Sequence, residues 1–225
     1  MLNRLAIKKM LGLSPNLNIQ AQLPTEHHGS DYGGWTIEKD SLDSDSKIIS
    51  AGIGNDISFD ISVISRYACS IVAIDPTPQV ADWLKTQELP PSFSYLPVGL
   101  AAYEGETKFY MPANPEHISH SQKPATKDDS HFIVVPVVTI KNLLTKLGWK
   151  FIDLLKMDIE GFEYDVINNF LTWNIHIRQL LVEFHHGLYG FSNTDTSKAI
   201  DQLNANGYRV FSISSTGREI SFIKE

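Results

Sequence analysis

The chain has 225 residues, of which 42% are hydrophobic and 20% are charged, and this composition is typical of one globular domain with a substantial core. The formal net charge of −7 argues against a surface built to neutralise nucleic-acid phosphates, so we expect no nucleic-acid partner. The single cysteine, Cys69, excludes an intrachain disulfide and favours a reducing compartment, which predicts a cytoplasmic location.

The N-terminal part of the chain differs in composition from the rest. Its first 13 residues place hydrophobic side chains near one face of a basic amphipathic helix, and we expect this helix to dock on its own domain or on a partner subunit of a homo-oligomer rather than on a membrane. Residues 14–46 are rich in Pro, Gly, Ser, Asp and His and are predicted to be irregular. The predicted organisation is therefore an N-terminal helix and irregular lead-in at 1–46 and the domain proper at 47–225. No apolar run is long enough to form a transmembrane segment.

From Lys47 onward the apolar patterns alternate between those of strands and those of helices. The strands are predicted at KIIS, SIVAIDP, FSYLPVGLA, GETKFYM, FIDLLKMDIEG and RQLLVEFHH. The helices are predicted directly after the glycines of SAGIGNDISFD and at TPQVADWLK, VTIKNLLTKLG, FEYDVINNFL and DTSKAIDQLNANG. The last two strands, YRVFSIS and REISFIKE, are predicted to form an antiparallel hairpin. The alternation predicts an α/β fold with a doubly wound, Rossmann-like sheet that is mostly parallel and ends in this C-terminal hairpin.

Glycines and acids follow the predicted strands at the points where those strands end. They are Gly52 and Gly54 after the first strand, Asp75 after the second, Asp158 and Glu160 after FIDLLKM, and Glu183 near the end of RQLLVEFHH. In open α/β sheets, ligands bind beyond the carboxyl ends of the strands, where the strand order changes direction. The sequence therefore predicts a ligand site built from these residues.

The glycine loop and Asp75 together indicate a ligand that contains adenosine. Glycines at these positions permit positive φ angles and let a ligand touch the backbone. Asp75 lies 21 residues after Gly54, close to the spacing at which an acid accepts hydrogen bonds from ribose hydroxyls. Nicotinamide-dependent oxidoreductases share this pattern, but Ile57 stands where their third glycine would be, and the chain has no Walker lysine. S-adenosylmethionine is therefore preferred as the ligand, and a nicotinamide cofactor is the alternative.

Four segments carry a resemblance to a known family: SAGIGNDISFD, VAIDPTP, LLKMDIEGFEYDVI and LLVEFHH. In this order and spacing they resemble the FkbM-type S-adenosylmethionine-dependent methyltransferases, over residues 31–214. The stretch KMDIEGFE is the most specific part, because the family carries K-[IV]-D-[IV]-E-G-x-E at this strand end. The resemblance implies a Rossmann-like methyltransferase fold and methyl transfer, commonly to a hydroxyl of a sugar, a glycan or another small metabolite.

One position departs from the family pattern. Many members begin the glycine loop with an acid, and this chain has Ser50 there, so we expect Asp56 to accept from the amino group of the ligand instead. The alternative role for Asp56 is to complement the dipole of the following helix. The expected cofactor-binding residues are Ser50, Gly52, Gly54, Asp56, Asp75 and Pro76.

Acids and a histidine at adjacent strand ends are the candidates for catalysis. A hydroxyl acceptor must lose its proton, and a positioned base contributes about 10²–10⁴-fold to the rate. The expected catalytic residues are Asp158, Glu160, Glu183 and His185. The two-residue spacing of the first two also suits a shared divalent ion, so a metal requirement stays open although we assign no metal ligands. Glu160 has a second interpretation as the cap of the next helix.

Two loops each have two interpretations, and one further class of function is an alternative. DYGGWTI, at 31–37, is either a loop that closes over the site or a turn anchored by Trp35. The polar segment 114–129, with two histidines, is either a substrate lid or a surface insertion. A non-catalytic S-adenosylmethionine-binding module is a further alternative to an enzyme, and the acids at the strand ends argue against it.

Overall fold

The computed structural model describes residue 15 and residues 17–110 and 131–225. The strands, in chain order, are β1 (Thr25–His28), β2 (Trp35–Glu38), β3 (Lys47–Ala51), β4 (Ser70–Ile74), β5 (Phe93–Leu96), β6 (Gly99–Leu100), β7 (Gly105–Tyr110), β8 (Phe132–Val138), β9 (Ile152–Met157), β10 (Ile177–Glu183), β11 (Tyr208–Ile213) and β12 (Glu219–Lys224). The helices are α1 (Ser58–Tyr67), α2 (Pro78–Leu84), α3 (Ile140–Leu147), α4 (Glu163–Thr172) and α5 (Asn193–Ala205).

The central sheet has seven strands in the order β11-β12-β10-β9-β3-β4-β5. The strands β3, β4, β5, β9 and β10 run parallel to one another, and β12 lies antiparallel between β10 and β11. This confirms the predicted doubly wound, mostly parallel α/β sheet with a C-terminal antiparallel hairpin. The strand order changes direction between β3 and β9, which places the crevice for a ligand beyond the ends of these two strands.

Local signals in the sequence explain where the helices begin and end. The Thr139 hydroxyl accepts from the backbone N–H of Asn142 at the start of α3, and Gly148 ends the helix with a φ of 69°. Ser192 and Asp195 form a capping box at the start of α5. Hydrophobic residues in and just before α4 are buried: Phe162, Val166, Ile167 and Phe170.

The predicted strand FSYLPVGLA is wrong as a single element, because the chain breaks it at Pro97. Proline has no backbone N–H to donate to a sheet, and the chain changes direction there. The first half is β5 at the edge of the central sheet, and the second half is β6 in a separate three-stranded sheet of order β6-β8-β7. The strand β8 was not predicted from the sequence.

The lead-in that was expected to be irregular contains the antiparallel hairpin β1–β2. Trp35 and Ile37 of β2 are buried in the same hydrophobic cluster as residues of β3 and α1. The Ser221 hydroxyl of β12 donates to the carbonyl of Thr36 at 2.7 Å, so the hairpin is bonded to the central sheet. The predicted N-terminal helix and the 114–129 loop lie outside the described residues. Within the described part of the chain, no helix combines the length and apolar character needed to cross a bilayer.

Candidate functional site

The glycine loop between β3 and α1 contains two glycines with different structural surroundings. Both have positive φ angles, 73° at Gly52 and 52° at Gly54. A Cβ atom on Gly52 would lie 1.6 Å from the carbonyl oxygen of Asp158, whereas a Cβ on Gly54 would meet nothing within 4 Å. Gly52 is therefore required by the close approach of the segment after β9. Gly54 borders open space that a ligand can fill.

Asp75 ties the glycine loop to the start of α2. Its Oδ2 accepts from the backbone N–H of Gly54 at 3.1 Å, and its Oδ1 accepts from the backbone N–H of Thr77 at 2.9 Å. The hydroxyl of Tyr95 donates to the carbonyl of Asp75 at 2.7 Å. Each carboxylate oxygen keeps a second lone pair. Asp75 can thus organise the loop and still accept from a ligand.

Two cavities open beside this loop. The narrow cleft encloses about 530 Å³ of space that is open to solvent, and the wide groove encloses about 1640 Å³. The narrow cleft is lined by Gly52, Gly54, Ile74, Asp75, Pro76, Thr77, Val80, Gly99, Leu100, Phe109, Asp158, Ile159 and Glu160. The wide groove is bordered by the β1–β2 loop, the glycine loop, Lys156, Asp158, Glu183 and the β11–β12 turn. The two cavities share Gly52, Gly54 and Asp158.

The remaining expected cofactor residues are Asp56 and Ser50, and their positions differ from each other. Asp56 borders the wide groove, but its Oδ2 accepts from the hydroxyl of Ser30 at 2.6 Å and its Oδ1 from the backbone N–H of Ser58 at 2.8 Å. It therefore links the β1–β2 loop to the start of α1. Ser50 is fully buried and lines neither cavity, and its hydroxyl lies beside the buried carboxyl group of Asp60. In this structure Ser50 is therefore placed behind the loop rather than against a ligand.

The DYGGWTI segment combines both roles that were considered for it. Trp35 is an anchor, because it is 4% exposed and packs in the core. The preceding residues of the loop border the wide groove, and Tyr32 projects there with 89% exposure. A Cβ on Gly33 would lie 2.6 Å from Asp56 Oδ2, so glycine lets the loop lie against the start of α1.

A network of charged side chains lies beneath the segment that follows β9. Glu163 is fully buried, and its two carboxylate oxygens accept from the backbone N–H groups of Ile159 and Gly161, both at 3.0 Å. Its Oε1 also lies 2.9 Å from Nδ1 of His185. Glu163 rather than Glu160 therefore holds the turn at the start of α4.

His185 joins this buried acid to the cleft. Its Nε2 lies 3.1 Å from Glu160 Oε2 and 3.7 Å from Asp158 Oδ1. Burial by itself lowers the pKa of His185, but the carboxylates of Glu163 and Glu160 raise it well above its usual value. Both ring nitrogens face carboxylates, and this arrangement favours the doubly protonated imidazole. The neighbouring His186 is buried, with Nδ1 3.4 Å from the Thr196 hydroxyl, and it packs under α5.

Asp158 and Glu183 titrate at unusual pH values because of their surroundings. Burial raises the pKa of Asp158 to about 6 against the opposing charges of Lys156 and His185. Burial and then the charge of Asp158 raise the pKa of Glu183 to about 8. The Asp158 side chain is 32% exposed as a whole, but its Oδ1 is sealed from solvent. The pKa of Asp158 is the lower of the two, so Asp158 ionises before Glu183 as the pH rises.

One ligand atom from each of Asp158, Glu183 and His185 lies within 4.8 Å of the others, a spacing that could hold a metal ion. However, both nitrogens of His185 face carboxylates, and a doubly protonated imidazole has no lone pair to offer a metal. The arrangement therefore favours proton transfer over metal binding.

Sequence reasoning missed two residues of this network. Glu163 is the last acid of the KMDIEGFE segment, so the family pattern itself contained the signal. Tyr189, whose hydroxyl donates to Glu160 Oε2 at 2.7 Å, lies in the loop after β10, and no local pattern indicates it. Its φ of 52° and that of Glu160, 53°, show that both residues hold a left-handed backbone conformation at the site.

The chain is similar to a known protein family and to a solved structure. A family model described as the methyltransferase FkbM domain matches residues 40–210, a range that includes every catalytic and cofactor-binding residue considered above. No curated protein matches the chain. The crystal structure of fibrillarin from Aeropyrum pernix, in complex with natively bound S-adenosyl-L-methionine, is similar over 94% of this chain and 85% of its own, with 12% identity and a TM-score of 0.44. Because the family model spans well over half of the sequence, the chain belongs to the FkbM methyltransferase family, whose reaction is methyl transfer from S-adenosylmethionine.

Proposed function

We propose that this protein transfers the methyl group to a hydroxyl oxygen of a carbohydrate or another small molecule. The observation that carries the proposal is the position of Asp158, which borders both cavities and has a pKa raised to about 6. A carboxylate at that junction lies between a cofactor in one cavity and an acceptor in the other. Its raised pKa makes it a better base than an ordinary aspartate while leaving it ionised at neutral pH.

The narrow cleft fits the adenosine part of S-adenosylmethionine. Gly54 borders space that no protein atom fills, and Asp75 keeps lone pairs for ribose hydroxyls. Ile74, Val80 and Leu100 supply apolar walls for a purine ring. When bound, S-adenosylmethionine supplies a methyl group activated by its sulfonium centre, and alignment of that group with the acceptor accounts for much of the rate enhancement.

The acids then have different roles. Asp158, ionised at neutral pH, accepts the hydroxyl proton of the acceptor, and Glu183, which holds its proton, donates a hydrogen bond to the acceptor. The positive charge of His185 stabilises the carboxylate of Asp158, and Glu163 fixes the orientation of the imidazole ring. Glu160 completes the pairing of His185 and is itself fixed by Tyr189.

The lining of the wide groove supports a hydroxyl-rich acceptor. Its far wall, at the end of β11 and the turn before β12, consists largely of hydroxyl side chains: Ser212, Ser214, Ser215 and Thr216. Hydroxyls both donate and accept hydrogen bonds, as the hydroxyls of a sugar do. The acids Asp31 and Glu219 also border the groove, and their charges disfavour an anionic acceptor.

The test measures formation of S-adenosylhomocysteine with a panel of neutral monosaccharides and glycosides, using the wild-type protein, Asp158→Asn and Glu183→Gln. We expect Asp158→Asn to lose about 10²–10⁴-fold in turnover with nearly unchanged affinity for S-adenosylmethionine. Glu183→Gln should lose much less near pH 7, because the amide replaces an acid that is already neutral there. The exposed Asp201→Asn on α5 is the matched control.

Each remaining outcome rules out a specific part of the proposal. Full turnover in Asp158→Asn contradicts the role of this carboxylate as base. Methylation of amines but not of hydroxyls contradicts the acceptor class. Cofactor binding without S-adenosylhomocysteine from any acceptor supports the non-catalytic alternative. Loss of turnover on adding a chelator, with recovery on adding Mg²⁺, would establish a metal requirement that the geometry of His185 does not favour.

A further inference from the structure

The charged groups around the two cavities are almost all negative. Among the described residues that line either cavity, Lys156 is the sole lysine or arginine. It belongs to β9, two residues before Asp158, and borders the wide groove beside the glycine loop.

The position of Lys156 in the sheet explains why it is buried. In the parallel pairing of β3 with β9 it lies opposite Ser50, and both side chains point to the face that α1 covers. Lys156 is 5% exposed. Its Nζ donates to the carbonyl of Gly52 at 2.5 Å and lies 5.8 Å from the centre of the Trp35 ring. The ammonium group is therefore held at the base of the glycine loop.

Lys156 has no carboxylate in direct contact among the described residues. No carboxylate oxygen of the described residues lies within 4.0 Å of its Nζ, although Asp60 and Asp158 are close enough to feel its charge. Taking an ammonium group out of water without an anionic partner costs several kcal/mol. A buried, cavity-lining cation in this condition indicates that an anion binds beside it.

S-adenosylmethionine has one anionic group, the carboxylate of its methionine part, and its ammonium and sulfonium groups are positive. We propose that Lys156 binds this carboxylate, so that the cofactor's methionine part lies against the glycine loop. The carboxylate at the junction of the cavities, Asp158, then faces the positive groups. This inference rests on the proposed use of S-adenosylmethionine and adds a residue to its binding site.

The experiment compares two ligands that differ in a single group, S-adenosylmethionine and decarboxylated S-adenosylmethionine. Calorimetric titration gives the ratio of their dissociation constants for the wild-type protein and for Lys156→Met, Lys156→Arg and Lys198→Met. Met has nearly the shape of Lys without its charge, and Lys198 is an exposed residue of α5 that lines neither cavity. Thermal unfolding establishes that each variant is folded.

We expect the wild-type protein and Lys198→Met to prefer the carboxylated ligand by about 10- to 100-fold, the range for a hydrogen bond to a charged group. In Lys156→Met the preference should fall to within about threefold of unity, and Lys156→Arg should retain most of it. A preference that is unchanged in Lys156→Met overturns the inference and leaves the methyl donor intact. A wild-type ratio near unity overturns it without any variant. A wild-type protein that binds neither ligand overturns the cofactor assignment as well.

Discussion

The two glycines of the loop after β3 allow a matched pair of substitutions, Gly52→Ala and Gly54→Ala. Both residues have positive φ angles, so an alanine at either position costs about 1–2 kcal/mol of backbone strain. At Gly52 the new Cβ would also lie 1.6 Å from the carbonyl oxygen of Asp158, and backbone must move to relieve the contact. Overpacking of this kind costs about 1–3 kcal/mol more. We therefore expect Gly52→Ala to lose about 2–5 kcal/mol of unfolding free energy and Gly54→Ala about 1–2 kcal/mol.

Affinity for the ligand, unlike stability, should be reduced more by the substitution at Gly54 than by the one at Gly52. The Cβ on Gly54 enters space that no protein atom fills, so we expect Gly54→Ala to remain folded and to lose affinity for S-adenosylmethionine. Urea denaturation without ligand measures the free energy of unfolding, and calorimetric titration measures the affinity. Equal losses of stability in the two variants would refute the argument from the Asp158 carbonyl. Normal affinity in Gly54→Ala would show that this glycine serves only the turn.

Two further predictions concern buried acids. Asp75→Ala should weaken S-adenosylmethionine binding in calorimetric titration and also lower the free energy of unfolding by about 1–3 kcal/mol, because the N–H groups of Gly54 and Thr77 lose their acceptor. Unchanged affinity would contradict the ribose assignment. Burial raises the pKa of Asp60 from 3.8 to about 6 in the folded state, so this residue contributes stability below pH 4 that is lost as the pH rises through 6, about 3 kcal/mol in total. Asp60→Asn, which stays neutral, should gain that amount above pH 7 and almost nothing at pH 4 in urea denaturation, and a gain that does not depend on pH would contradict this explanation.

The sequence was most informative where a single local rule decides the structure. The apolar patterns of SIVAIDP and VTIKNLLTKLG predicted the strand β4 and the helix α3. The hairpin β1–β2 was missed because its strands are four residues long and lie among Gly, Ser and Asp. Such short strands are stabilised by tertiary contacts, here the burial of Trp35 and the bond from Ser221, which no local pattern contains.

The site shows the same division between local and tertiary information. The amino-acid sequence alone determined the α/β class, the family and the glycines and acids at the strand ends, because strand periodicity and residue spacing are local properties of the chain. The tertiary structure alone decided that Gly52 leaves room for the carbonyl of Asp158, that Glu163 contacts His185, and that Lys156 is buried with no described carboxylate in direct contact. Each of these depends on which side chains meet across neighbouring strands. Strand order and register determine which side chains are in contact, and both arise from packing across the whole sheet.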